Sequence, residues 1–289
     1  MPTQKQFFSY VNSPFYSNIN GVYDNLDDVD EKKLNVVIPT FFYVDSDSKV
    51  LNKTGSKTAA YSVYKDWMEE NKLIFMPTVD SNVLVSESML SYTQRSQIIN
   101  SLVSLVKENE YMGINIGFNA VDDVNSFNRF IIELMPRMQE MGIVVSVDVT
   151  APDGAPNWSM CYDRNVIGDV ADYIVFMAYD QHGNSGSKVG TTAGFNWVEK
   201  SLQKIIQYDE VDTEKIILGM PFYTRQWTIA KDGTVKSKNI VSMMNIKIPN
   251  NVEKQWDDTL KQNYIEYKSG KNTIKMWIED GTSIKEKVS

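Results

Sequence analysis

The residues whose types and spacing could do chemistry gather at the ends of short apolar runs. The most informative run is Tyr111-Met112-Gly113-Ile114-Asn115-Ile116-Gly117-Phe118-Asn119. Alternation along an extended strand puts Ile114, Ile116 and Phe118 on one face and Asn115, Gly117 and Asn119 on the other. The apolar set is the one to bury against helices, which leaves a small, polar, uncharged row on the opposite face. Amides there can bind hydroxyl and N–H groups, but they carry no transferable proton. Carboxylates end two other runs: Asp148 shares the parity of Ser146 and Thr150, and Asp180 follows Tyr179. Either can line a cleft, and the simpler reading of both is a structural hydrogen-bond acceptor. Tyr43, Trp158, Tyr179, Tyr223 and Trp227 fall at or just past strand ends. Aromatic faces in such places stack on sugar rings while polar neighbours take the hydroxyls.

Other chemistries are excluded by what the chain lacks. It has one histidine, His182, and one cysteine, Cys161. A disulfide, a thiolate or multi-histidine metal centre and a serine–histidine triad therefore find no support, and no metal or cofactor is expected. Gly183, Gly186 and Gly190 do not have a phosphate-cradling spacing; they read as a flexible loop with His182 as an ordinary member. A net charge of −8 with a pI near 4.9 argues against nucleic acid, which needs clustered lysine and arginine. No run is long and apolar enough to span a bilayer, and Met1-Pro-Thr-Gln-Lys-Gln6 lacks the apolar stretch of a secretory signal. With 42% hydrophobic and 23% charged residues, a sizeable core is expected.

The elements that must position these residues alternate between β-branched runs and amphipathic segments, the rhythm of βα units on a parallel sheet. Seven strands are predicted, at 7–11, 34–43, 73–79, 113–118, 143–149, 173–179 and 216–222. Helices are predicted at 59–70, 94–107, 127–141 and 197–206, with Pro136 expected to bend or interrupt the third. The acidic group Asp27, Asp28, Asp30 and Glu31 reads as a solvated loop or helix start. From Thr224 to Asp280 the rhythm breaks into polar, turn-rich sequence, with Asp232-Gly233 and Ser269-Gly270 as hairpin signals. The expected organisation is a barrel over 1–223, an α+β insertion over 224–280, and the start of a last barrel helix over 281–289.

Several of these segments together resemble glycoside hydrolase family 18. Met112 to Asn119 is similar to its signature strand, Asp-Gly-x-x-x-Asp-x-Glu. On that alignment the first Asp falls at Met112, the second at Gly117 and the catalytic Glu at Asn119, while Asn115 matches a variant of the spore-associated branch. Phe176-Met-Ala-Tyr-Asp180 resembles the family's Met-x-Tyr-Asp strand end. Gly190–Trp197, Ile217–Arg225, Met276–Asp280 and Val147–Gly154 resemble further family segments. The resemblance implies a (β/α)8 TIM-type barrel and a substrate-binding set of Met177, Tyr179, Asp180, Tyr223 and Arg225, with Trp158 or Trp227 to stack on a sugar. It also implies a carbohydrate polymer with N-acetyl groups as partner, and an extracellular, cell-surface or spore-associated setting.

The departures matter as much. No catalytic position of the motif is intact at Met112, Asn115, Gly117 and Asn119, so impaired catalysis with retained glycan binding is expected. An active hydrolase using Asp148 or Asp180 as an altered acid, or a protein-binding scaffold, are the alternatives. The family's eighth strand finds no counterpart after Trp277. A partner segment or subunit, or sequence outside this chain, is then expected to complete the barrel.

Overall fold

A computed structural model of the chain describes residues 8–11, 35–52, 72–81, 91–118, 121, 123–155, 158–183, 188–241 and 245–289. Asn119, the predicted helix at 59–70 and the acidic group at 27–31 lie outside the described residues. The chain divides into two compact units: Met1–Val149 with Gly154–Val175 and Val211–Ile216, and Thr150–Asp153 with Phe176–Glu210 and Ile217–Ser289.

The first unit is a parallel sheet with helices. Strands β1 (Phe8–Val11) and β2 (Val36–Val44) pair in parallel, and β2 carries a short antiparallel companion, β3 (Val50–Asn52). The predicted third strand is two pieces, β4 (Ile74–Phe75) and β5 (Thr78–Ser81), both parallel to β2. Pro77 has no N–H to give the ladder, and the break falls beside it. Next come β6 (Gly113–Gly117) and β7 (Val144–Thr150), with Asn115 opposite Thr78 on one side and Ser146 on the other. Strand β8 (Tyr173–Met177) follows.

Helix α1 (Tyr92–Asn109) starts at a capping box in which the Ser91 hydroxyl accepts from the Gln94 N–H and Gln94 reaches back to the Ser91 N–H. Its buried stripe holds Ile98, Ile99, Leu102, Val103 and Val106. Helix α2 (Val124–Gln139) is capped by Asp123 and is not interrupted at Pro136. The proline sits in the last turn, and the carbonyl it leaves without a donor belongs to Ile132, which is 46% exposed and can be hydrated. Arg95 of α1 grips Glu133 of α2 through two bonds, of 2.9 and 3.0 Å. A short helix, α3 (Arg164–Val170), which the sequence pattern does not announce, starts at Asp163. Phe130 stacks on Phe118 and on Phe127, which meet each other at a tilt, and all three are wholly buried, so the apolar face of β6 does meet a helix.

The second unit contains the end of β8, helix α4 (Phe195–Gln207), strand β9 (Ile216–Gly219) and an antiparallel sheet. Strand β9 stops short of its predicted end, just ahead of Met220-Pro221. The sheet runs in the order β11 (Val235–Val241), β10 (Tyr223–Ile229), β14 (Asn272–Ile278), β13 (Gln262–Ser269) and β12 (Gln255–Asp257). Hairpins turn at Asp232-Gly233 and at Gly270-Lys271, and Ile265, Ile274, Met276 and Ile278 form its core. Helix α5 (Gly281–Val288) follows, capped by Asp280. Among the described residues of the first unit, β1, β2, β5, β6, β7 and β8 are neighbours in chain order, as the alternation predicts.

Candidate active site

Parallel α/β sheets present their chemistry at the carboxyl ends of the strands, and each unit has a polar cluster in such a place. In the first unit the cluster is built on β5, β6 and β7. Strand register lines up Thr78, Asn115 and Ser146 in one row, and Asp80 with Gly117 in the next. Two residues past Ser146, Asp148 belongs to that second row. Ser146 Oγ donates to Asn115 Oδ1 at 2.6 Å, while Asn115 Nδ2 donates to Thr78 Oγ1 at 3.2 Å and to Asp148 Oδ2 at 3.1 Å. All four side chains are buried, and the amide of Asn115 is engaged at both ends.

Gly117 sits at a close approach where any side chain would make its neighbours shift. A Cβ there would stand 2.8 Å from Thr78 Cγ2 and 3.0 Å from Asp148 Oδ2. Just beyond, Tyr162 Oη donates to the Phe118 carbonyl. Burial first, and then nearby charges including Asp148 and Asp80, push that phenol well above its usual range. At the other end of the strand, Met112 is 54% exposed. Past β7, Trp158 is 44% exposed, on a loop tied down by buried Arg164, whose guanidinium donates to the Ser159 carbonyl at 2.7 Å.

In the second unit the cluster gathers where β8 runs out and β10 begins. Asp180 adopts a left-handed backbone, with φ of 60°, a conformation asparagine and aspartate tolerate better than other side chains. Its Oδ1 accepts from Arg225 Nη2 at 2.7 Å and from the Tyr223 hydroxyl. Arg225 is buried and bonded on two more sides, through Nε to Asn239 Oδ1 at 3.0 Å and through Nη1 to the His182 carbonyl. Its guanidinium carbon lies 5.8 Å from the Tyr223 ring centre. Burial, and then the bond to Asp180, raise the Tyr223 phenol well above its usual range, so it stays a donor. Met177 and Tyr179 are half-buried alongside.

The loop before α4 is fixed rather than slack where it is described. His182 Nδ1 lies 2.9 Å from the Thr191 carbonyl, and its ring packs so closely on Gly190 that a Cβ there would overlap it. Trp227, considered from sequence as a stacking residue, is 1% exposed and donates its indole N–H to the Gly190 carbonyl at 2.7 Å. Behind the loop, Thr191 donates to Gln262, Gln262 to Glu279, and Glu279 pairs with Lys287 at 2.7 Å. Burial raises the Glu279 carboxyl above its ordinary value against the opposing pull of Lys287.

Sequence reasoning did not single out Thr78, Asp80, Asn239, Gln262 or Glu279. Thr78 and Asp80 share one parity at a predicted strand end, a signal that could have found them. The others reach the loop and the guanidinium only through antiparallel pairing. Among the described residues no cluster of three or more histidine, cysteine or carboxylate side chains could hold a metal, and no helix is long and apolar enough to cross a membrane.

Residues 7–289 match the family model described as glycosyl hydrolases family 18. The chain belongs to this family. It is similar to the uncharacterized glycosylase YvbX of Bacillus subtilis (strain 168), 29% identical over 216 residues that make up 71% of this chain and 60% of the relative. The chain thus spans less than two thirds of that relative. It is also similar in structure to a chitinase from Chromobacterium violaceum ATCC 12472, with a TM-score of 0.81 at 21% identity over 96% of this chain and 87% of the other. The spore cortex-lytic enzyme SleL of Bacillus megaterium QM B1551 gives a TM-score of 0.78 at 21% identity, over 99% and 68%. At such identities the likeness establishes the fold, the α/β TIM-type barrel class, and not the chemistry.

Proposed function

We propose that this family 18 chain is catalytically impaired and binds glycans containing N-acetylglucosamine, of the peptidoglycan or chitin kind. The observation that carries the reading is uneven retention. Met112, Gly117 and Asn119 stand at the three acidic positions of the signature strand, whereas Asp180, Tyr223 and Arg225 are present and bonded to one another. In this family the substrate's own N-acetyl group attacks the anomeric carbon, which leaves the protein to protonate the leaving oxygen and to orient the acetamido group. An asparagine has no proton to give, and losing general acid catalysis costs about 10²–10⁴ in rate. The names of the chitinase and the spore cortex-lytic enzyme support the glycan class.

We assign sugar contacts to Met177, Tyr179, Asp180, Tyr223 and Arg225. Of the two tryptophans considered for stacking, Trp158 of the first unit has an exposed face and Trp227 keeps none. A few hydrogen bonds at about 0.5–1.5 kcal/mol each and one stacked ring, set against the cost of association, give roughly millimolar to micromolar affinity. Calorimetric titration with the N-acetylglucosamine tetramer tests this. Heat that saturates in that range, and that Asp180→Ala and Tyr223→Phe weaken, is expected. No signal at millimolar tetramer would pass the argument to a protein-binding scaffold.

A further inference from the structure

We infer that a pocket of the second unit, walled by helix α4 and Gln181, takes a sugar that carries a carboxylate, so that the glycan is of the peptidoglycan rather than the chitin kind. The inference rests on the glycan-binding reading above and names the substrate class within it. Chitin is an uncharged polymer of N-acetylglucosamine, whereas every second sugar of peptidoglycan bears a lactyl carboxylate.

All the residues that line the pocket belong to the second unit. Its volume is about 360 Å³, within the roughly 300–1,000 Å³ of small-molecule sites. One wall is Gln181, the chain neighbour of Asp180. Its N–H donates to the Thr192 carbonyl and its Oε1 accepts from the Gly194 N–H, both at 2.9 Å, so the wall is held in place beside the assigned sugar contacts.

The opposite wall is the face of α4 that carries Asn196, Trp197, Lys200 and Lys204. Half-buried Trp197 offers part of a ring to a sugar face. Asn196 Oδ1 is buried and has no hydrogen-bond partner among the described residues. A bare buried acceptor costs free energy, and folding alone gives no reason for it. A small turn of the amide brings it to a sugar hydroxyl or N–H, the donor it lacks.

The two lysines set the charge. Lys204 is in the last turn of α4, where the helix dipole favours a cation, and it donates to the Pro152 carbonyl at 3.2 Å, so the fold accounts for it. Lys200 has neither reason. It is exposed and lies mid-helix, and its helix neighbours three and four positions away are Asn196, Trp197, Gln203 and Lys204, none of them acidic. Like charges one turn apart repel, and an anion seated between them removes the repulsion. Asp153 also lines the pocket. One carboxylate against two ammonium groups still leaves it net positive, in a chain whose net charge is −8.

Calorimetric titration with three tetrasaccharides tests the assignment: the N-acetylglucosamine tetramer, the peptide-free peptidoglycan tetrasaccharide, and the latter with its carboxylates reduced to alcohols. Wild type is expected to favour the acidic tetrasaccharide over the other two by about fivefold, the size that two exposed ammonium groups give. The preference is expected to shrink as salt is raised. Lys200→Gln should cut it to about twofold and Lys200→Glu should abolish it, with thermal melting as a check of folding. Glutamine keeps the helix propensity of lysine, so Lys200→Gln reads the preference even if the glutamate variant does not fold. A preference that survives carboxylate reduction, or that folded Lys200 variants keep, overturns the pocket's role and leaves glycan binding standing. So does a wild type that binds all three alike. A wild type that binds none of the three overturns the pocket and the glycan-binding reading together.

Discussion

The cluster around Asn115 and the cluster around Arg225 solve the same problem with opposite means. In the first, one neutral amide, Asn115, donates to the Asp148 carboxylate and to Thr78 and accepts from Ser146, beside a Gly117 that contributes nothing but backbone. In the second, a buried cation is held by a carboxylate, an amide and a carbonyl, and the carboxylate side chain is still 37% exposed. The difference teaches which positions tolerate change. An ion-paired cluster collapses when one member goes, because a buried charge is left without a partner. A neutral frame can lose an acid at one position and re-form around its neighbour. The first unit holds such a neutral frame around Asn115, and the second holds the ion pair of Asp180 with Arg225.

Two substitutions put the contrast under strain. Replacing Arg225 by methionine keeps much of the volume but strands Asp180, Asn239 and the His182 carbonyl. It should cost roughly 3 kcal/mol, the low end for a broken buried pair because Asp180 is partly hydrated. Chemical denaturation reads this directly, and a loss under about 1 kcal/mol would show that the pair is not what holds the cluster. Gly117→Asp should cost about 1–3 kcal/mol through overpacking against Thr78, with added repulsion from Asp148. Combined with Asn119→Glu, it should still fail to produce hydrolysis, because the volume it needs is taken. Wild-type stability together with gained turnover in that double variant would show the frame to be softer than its contacts imply.

Much of this was legible in the sequence. Alternation along 113–118 correctly separated Ile114, Ile116 and Phe118 from Asn115 and Gly117, and helical spacing located α1, α2 and α4 to within a few residues. Signature segments identify the family from the sequence alone. Parity says which face a side chain takes, however, and not how deep it goes. Trp227 sits at a strand end like an aromatic of a binding cleft, yet it is buried as the anchor of the Gly190 loop. Gly190 has the composition of slack and is pinned by His182. The Thr191–Gln262–Glu279–Lys287 chain joins residues up to 96 positions apart in number, so no local window contains it. Pro136 looked like a helix breaker because the position of the last turn cannot be read from the residue itself.

Turnover of a fluorogenic N-acetylglucosamine oligomer, assayed beside an active family 18 hydrolase, tests the central claim most directly. With asparagine at the acid position and glycine at the orienting one, the account predicts a rate at least about a hundredfold below the active enzyme, and in practice no measurable release. A rate within about tenfold of that enzyme would contradict it, and would mean that another carboxylate, Asp148 or Asp180, delivers the proton.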